Sequence, residues 1–161
     1  MSTRLHTISA LVHNESGTLN RLASLFRRRM FSLSSMNAGD CEQEGLARVT
    51  MVVEGDDGDL RQCVRQLNKL IDVIEVEDLS GNDSVQRELA FFQVNAGVES
   101  RRSILEIAQV MHCDVVHLEP ESITLQATAE PSRIDQVVAL LEPFGITQIV
   151  RSGLVAIRVK N

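Results

Sequence analysis

Residues 46–78, LARVTMVVEGDDGDLRQCVRQLNKLIDVIEVED, contain the two hydrophobic periodicities that decide the fold. Val49, Met51 and Val53 occupy alternate positions, a pattern typical of a strand with one better-buried face. Apolar residues then recur at the offsets i, i+3, i+4 and i+7 of an amphipathic helix: Leu60, Cys63, Val64 and Leu67. A second β-rich segment, residues 72–78, follows. The stretch therefore predicts a strand, a helix and a strand in that order.

The same helical offsets recur in three further sets, which begin at Leu19 (with Leu22, Ala23 and Phe26), Ile104 and Ile134. The predicted strands are 5–12, 33–41, 46–54, 72–78, 87–96, 113–118, 123–129 and 145–152. The order β-α-β-β-α-β is thus predicted twice. It indicates an α+β fold of two tandem ferredoxin-like βαββαβ domains, each with an antiparallel sheet and both helices on one face. The polar segment Ser80–Ser84 predicts a linker between domains at 1–79 and 85–161.

The composition favours a globular protein and excludes several function classes. Of the 161 residues, 43% are hydrophobic and 24% are charged, as in ordinary folded domains. The aromatic content of 3% and the net charge of -6 argue against nucleic-acid binding, which needs stacking side chains and a basic surface. No apolar run reaches the roughly 18–20 residues of a membrane span. Three cysteines without a CxxC pair, and no signal-peptide core, predict a cytoplasmic protein.

The loop between the first strand and the first helix is the candidate binding segment. It reads His13-Asn14-Glu15-Ser16-Gly17-Thr18-Leu19. Ser16 or Gly17 is expected to cap the helix, whose first N–H groups lack internal partners and favour an anion such as the carboxylate of a free amino acid. Asn14 offers both a donor and an acceptor. The alternative is that Asn14, Ser16 and Gly17 are only turn and cap residues.

Catalytic and metal-binding patterns are not recognisable in the sequence. The four histidines lie apart from any cysteine or carboxylate at metal-ligand spacing, so no metal site is predicted. No nucleophile has a base beside it at a recognised spacing, and phosphate-binding or dinucleotide-binding motifs are not found. We therefore predict that the chain has no catalytic residues of its own.

Several blocks of the sequence resemble the small regulatory subunit of acetolactate synthase, also called acetohydroxyacid synthase. They are residues 14–22 (NESGTLNRL), 48–53 (RVTMVV), 66–73 (QLNKLIDV), 85–89 (VQREL) and 151–153 (RSG). The blocks follow the family's order over nearly the whole chain. The resemblance implies an N-terminal ACT domain, a fold variant that senses small molecules, and a C-terminal ACT-like domain particular to this family.

The resemblance also implies a partner and an effector. The family's small subunit binds the large catalytic subunit, raises its activity and confers feedback inhibition by a branched-chain amino acid, usually valine, in the synthesis of valine, leucine and isoleucine. Thiamine diphosphate, magnesium and flavin are implied for the catalytic subunit only, and a homodimer through the ACT domains is implied for this chain. By position, the effector-binding residues are Asn14, Glu15, Ser16, Gly17, Thr18, Leu19 and Ser32. Ser32 and Met30 stand where the family has an asparagine and a glycine.

Three other functions stay open at this point. One is a free-standing ACT-domain sensor of amino acids that regulates another enzyme or a transcription factor. Another is a small enzyme on a ferredoxin-like fold, which lacks a visible nucleophile and base. The third is a purely structural oligomerisation module. The C-terminal blocks 85–89 and 151–153 argue against the free-standing sensor.

Overall fold

The computed structural model describes residues 2–159, which form two compact units. The first unit comprises residues 2–85 together with residues 154–159, and the second comprises residues 86–153. The sequence predicts domains at 1–79 and 85–161, and the structure differs in that residues 154–159 belong to the first unit.

The first unit has the predicted β-α-β-β-α-β order. Its elements are β1 (Arg4–His13), α1 (Thr18–Arg29), β2 (Ser32–Asp40), β3 (Leu46–Gly55), α2 (Asp57–Leu67) and β4 (Val73–Asp78). The strands form an antiparallel sheet in the order β2-β3-β1-β4. Strand β2 is therefore an edge strand, paired among the described residues on one side only, with β3.

Alternate residues of the central strands, among them Ile8 and Met51, form the core of the first unit with α1 and α2. The predicted stripe of α2 is confirmed, because Leu60, Cys63 and Leu67 are buried. The stripe of α1 is partly wrong: Leu22 and Phe26 are buried, but Ala23 is exposed and Leu19 is 45% exposed. Leu25 and Thr18 take their places. Leu19 therefore lies outside the core, next to the loop that precedes α1.

The second unit repeats the same order with a longer first strand. Its elements are β5 (Ser84–Asn95, whose first two residues belong to the first unit), α3 (Arg101–Met111), β6 (Asp114–Leu118), β7 (Ser122–Ala129), α4 (Pro131–Leu141), a 3₁₀ turn (Glu142–Phe144) and β8 (Ile146–Arg151). The sheet order is β6-β7-β5-β8. Phe92 and Leu125 of the sheet and Ile104 and Ile134 of the helices are fully buried. The fold of two tandem ferredoxin-like domains is therefore confirmed.

A ninth strand, β9 (Val155–Arg158), follows the predicted elements and pairs with β5. The last predicted strand is 145–152, so β9 is not among the predicted elements. The signal was present, because residues 154–159 read LVAIRV and are rich in β-branched residues. Within residues 2–159, no helix is long and apolar enough to cross a membrane.

Candidate functional site

A cavity of about 380 Å³ lies where β1 ends, α1 begins and β2 ends. Its walls come from three segments of the sequence, within residues 12–20, 38–40 and at residue 47. The lining residues are Val12, His13, Asn14, Glu15, Gly17, Thr18, Leu19, Asn20, Ala38, Gly39, Asp40 and Ala47. The predicted binding loop therefore forms one side of a cavity whose other side is the edge strand β2 and the start of β3.

The loop ends at Gly17, which caps α1 without a side chain. Gly17 has a φ of 86°, in the left-handed region that favours glycine, and α1 has no side-chain cap. A Ser or Asp cap would accept hydrogen bonds from the second or third helical N–H. Those two groups belong to Leu19 and Asn20, and within the described residues neither has a hydrogen-bond partner. Two free N–H groups at the positive end of a helix are thus available at the cavity.

An ion pair behind the loop fixes the start of α1. Arg21 donates two hydrogen bonds to the Asp72 carboxylate, Nε to Oδ2 at 2.5 Å and Nη2 to Oδ1 at 2.8 Å. The Thr18 hydroxyl donates to the carbonyl oxygen of His13 at 2.9 Å and approaches Asp72 Oδ1 at 3.5 Å. The carbonyl of Asp72 accepts from the N–H of His13 at 2.8 Å. These contacts tie the end of β1 and the first turn of α1 to one buried aspartate.

The charges of this pair stabilise each other. The hydrogen bonds from Arg21 hold the pKa of the Asp72 carboxyl below its usual value, and the same bonds raise the pKa of Arg21. Asp72 is only 4% exposed, so it stays charged inside the unit because Arg21 neutralises it. Arg21 and Asp72 were not predicted as site residues, because they lie outside the loop and Asp72 is 51 positions from Arg21.

The opposite wall of the cavity is acidic. Asp40, the last residue of β2, is exposed, and its Oδ1 accepts a hydrogen bond from Asn14 Nδ2 at 3.3 Å. The cavity therefore offers N–H donors on one side and a carboxylate on the other, with apolar surface from Val12, Ala38 and Ala47 between them. This arrangement is complementary to a zwitterion with a small apolar side chain.

Most of the predicted site residues meet at this cavity. Asn14, Glu15, Gly17, Thr18 and Leu19 line it, whereas Ser16 is exposed in the same loop and is not part of the lining. The cap is Gly17 and not Ser16.

Ser32 lies at the other end of β2, eight residues before Asp40 and paired with Glu54 of β3. That separation is roughly 25 Å along an extended strand. Within one chain, Ser32 therefore does not reach the loop.

The described part of the chain contains neither a metal-binding cluster nor an activated cysteine. Residues 2–159 contain no cluster of three or more His, Cys, Asp or Glu side chains that could hold a metal ion. All three cysteines are free. Burial raises the pKa of Cys63 to about 12, which keeps it an unreactive thiol.

Comparison with known proteins matches both halves of the chain to one family. Residues 87–160 match the family described as the small subunit of acetolactate synthase, and residues 8–75 match the acetohydroxyacid synthase small subunit-like ACT domain. The acetolactate synthase small subunit of Mycolicibacterium smegmatis is 40% identical over 155 residues, covering 96% of this chain and 91% of that protein. A probable acetolactate synthase small subunit of Methanothermobacter thermautotrophicus is 41% identical over 154 residues, covering 95% and 92%.

A solved structure agrees with these relatives. The crystal structure of the acetolactate synthase small subunit from Thermotoga maritima superposes with a TM-score of 0.90 at 31% identity, covering 98% of this chain and 99% of that one. The likeness includes both domains in the same order. The chain therefore belongs to the family of acetolactate synthase small subunits.

Proposed function

We propose that this chain is the regulatory subunit of acetolactate synthase, which binds the large catalytic subunit, stimulates it and makes it sensitive to a branched-chain amino acid. Membership of the family supports the partner. The observation that carries the effector is the cavity between Gly17 and Asp40, with unpartnered N–H groups facing a carboxylate. The match of residues 87–160 to the small-subunit family favours this function over a free-standing sensor.

In the proposed complex, the effector's α-carboxylate accepts hydrogen bonds from the N–H groups of Leu19 and Asn20. Such bonds to a charged group are stronger than neutral ones. The α-ammonium lies near the carboxylate of Asp40, and the side chain contacts Ala38 and Ala47. A cavity of about 380 Å³ has room for a free amino acid. The apolar contacts favour valine or another branched-chain amino acid over a charged one.

The site is proposed to be completed by a second copy of the chain. β2 is an edge strand, and an edge strand can pair with a neighbouring chain. If two copies pair through antiparallel β2 strands about a two-fold axis, the start of one β2 approaches the end of the other. Ser32 of the second copy would then approach Asp40 and the loop of the first. This arrangement accounts for a site residue that a single chain does not bring to the cavity.

The regulatory effect follows from this two-copy site. An effector that contacts both copies stiffens the dimer interface and changes how the dimer engages the catalytic subunit. Coupling of this kind is typically ~1–3 kcal/mol and is reciprocal, so the catalytic subunit also alters the affinity for effector. In this proposal thiamine diphosphate, magnesium and flavin act in the catalytic subunit, and this chain contributes no reacting group.

Calorimetric titration of the purified chain tests the effector site. We expect L-valine to bind, and isovalerate (no ammonium) and isobutylamine (no carboxylate) to bind at least ~10-fold more weakly, because each lacks one charge. Asp40→Asn should weaken valine binding several-fold, and Gly17→Asp should abolish it by placing a carboxylate beside the free N–H groups.

Asp114→Asn is the matched control, because Asp114 is an exposed aspartate on a strand of the second unit. Its affinity for valine should equal that of the wild type. Undiminished valine binding by both Asp40→Asn and Gly17→Asp would show that the cavity is not the effector site.

A further inference from the structure

The end of the chain has a role that the proposed function does not explain. The chain leaves the second unit at Gly153, and residues 154–159 then belong to the first unit. Gly153 has a φ of 80°, which a residue with a side chain adopts only at a cost. The sequence Arg151-Ser152-Gly153 therefore marks the point where the chain passes from one unit to the other. We call residues 154–159 the C-terminal latch.

The chain is held tightly just before Gly153. Arg151 forms ion pairs with Glu88, which is 5% exposed, and with Asp135 at 2.7 Å. The N–H of Ser152 donates to the carbonyl of Leu89 at 2.9 Å, and the Ser152 hydroxyl accepts from the N–H of Leu89 at 3.0 Å. The second unit thus holds the segment up to Ser152 by side-chain and backbone bonds.

The latch is held on the first unit by a hydrogen bond at one end and by ion pairs at the other. The carbonyl of Leu154, a residue that is 5% exposed, accepts a hydrogen bond from Asn37 Nδ2 at 3.1 Å. Arg158 pairs with Asp83 and with Glu77 at 3.5 Å, and it donates to the carbonyl of Asp78 at 2.8 Å. The latch therefore spans from the edge strand β2 to β4.

The latch lies on the sheet face away from α1 and α2. The neighbours of its partners, Met36 and Val76, pack on the helical core, so Asn37 and Glu77 point to the opposite face. Asn37 directly precedes Ala38, the first residue of β2 that lines the effector cavity. The hydrogen bond from Asn37 to Leu154 therefore acts on the strand that forms one wall of the cavity.

We propose that Asn37 and Arg158 are positioning residues for the effector site, because they fasten the latch that holds β2 in place. This role rests on the proposed function, and it links the cavity wall to the second domain through the Asn37–Leu154 hydrogen bond and then the backbone at Gly153. Effector occupancy, which contacts Ala38–Asp40, and the state of the second domain are coupled through this connection.

Hydrogen exchange on the full-length chain tests the physical half of the proposal without any effector. The variants are Asn37→Ala, which removes the amide donor, and Arg158→Gln, which removes the ion pairs. We expect faster exchange of the protected amides of residues 32–40 in both. Arg102→Gln is the control, because Arg102 forms an exposed pair with Glu106 on α3, and it should exchange like the wild type.

Inhibition of the reconstituted enzyme tests the regulatory half. Asn37→Ala and Arg158→Gln should raise the valine concentration for half inhibition by up to about five-fold, the limit reached if the whole contribution of one hydrogen bond depends on valine, while stimulation without valine stays unchanged. Faster exchange with unchanged inhibition would overturn the positioning role, since the latch would then be only structural. Variants that behave like Arg102→Gln in both assays would overturn the whole proposal.

The wild type separates this inference from the proposed function. If valine, leucine and isoleucine all fail to inhibit the wild-type complex, the proposed function is wrong, and the exchange data alone decide whether the latch holds β2. A chain that stops at Gly153, yet folds and responds to valine like the full chain, would also overturn the proposal.

Discussion

The substitution Gly17→Ala tests whether the backbone geometry of the loop, and not only its chemistry, is needed for the proposed effector site. A Cβ at position 17 would lie 2.9 Å from Arg21 Nη1, closer than side-chain carbons normally approach. Arg21 would have to move, although its guanidinium forms a bidentate pair with Asp72. The first turn of α1, which carries the N–H groups of Leu19 and Asn20, would shift with it.

Two costs can be worked out from this geometry. A residue with a side chain in the left-handed region costs roughly 1–2 kcal/mol, so the free energy of unfolding should fall by at least that amount. A hydrogen bond to a charged group contributes ~1.5–3 kcal/mol, so displacing one of the two free N–H groups from the effector carboxylate should weaken valine binding at least ~10-fold.

Gly45→Ala separates these two costs. Gly45 has a φ of 79°, nearly the same as Gly17, but a Cβ added there meets no atom within 4 Å. Urea unfolding should show the backbone cost alone for Gly45→Ala and a larger loss of stability for Gly17→Ala, which also disturbs the Arg21–Asp72 pair. Calorimetry should show weakened valine binding for Gly17→Ala only. Equal valine affinities in the two variants would refute the argument that the Gly17–Arg21 contact shapes the site.

Three other variants test the packing, the helix end and the ion pair. Leu22→Ala should lose ~2–5 kcal/mol of stability because Leu22 is fully buried. Leu19→Ala should stay within ~0.5 kcal/mol of the wild type in stability and should weaken valine binding. Similar stability losses of the two variants in urea would contradict this assignment of buried and exposed positions. Met30→Gly should raise the free energy of unfolding by ~1 kcal/mol, because Met30 follows α1 with a φ of 57°, which favours glycine. Its side chain is 90% exposed, so little packing is lost. A loss of stability would show that this backbone is not strained. Asp72→Asn tests the lowered pKa of Asp72. The wild type should be more stable than this variant by the full amount above the unfolded-state pKa of ~3.9. This difference in stability should be lost as the pH falls through the lower folded-state pKa of Asp72. A difference in the free energy of unfolding between wild type and Asp72→Asn that stays constant from about pH 6 to below about pH 3 would contradict that pKa shift; urea unfolding measures it.

The sequence predicts the repeated β-α-β-β-α-β order because each element carries its own periodicity. The stripe of α1 shows the limit of this approach. Leu22 and Phe26 belong both to the predicted stripe and to the observed one, and only contact with the sheet selects Leu25 over Leu19. Helical periodicity gives the buried face to within about one position, and the tertiary contact decides the rest.

The position of the last strand is less accessible to local reasoning. The run from Leu154 to Val159 has strand-like composition, yet nothing in it indicates a return to the first unit. That return depends on Asn37, Asp83 and Arg158, which are far apart in sequence. Pairing between distant segments is not encoded in a local pattern.

Only part of the candidate site was predicted, because contacts between distant segments are not visible in a local pattern. The loop residues are consecutive, so the anion-binding chemistry of a helix start is visible in the sequence. Asp40 reaches the cavity only through the antiparallel sheet, and Asp72, which follows α2, supports the loop from behind by its pair with Arg21. Ser32 was assigned by family position, and in one chain it lies at the opposite end of β2.

Reconstitution with the acetolactate synthase catalytic subunit of the same organism tests the central proposal most directly. Acetolactate formation is measured with the catalytic subunit alone, with this chain added, and with this chain and valine. We predict that the chain raises the rate and that valine reverses the increase, with Gly17→Asp stimulating but not responding to valine. No complex and no rise in rate with the wild-type chain would contradict the proposed regulatory function.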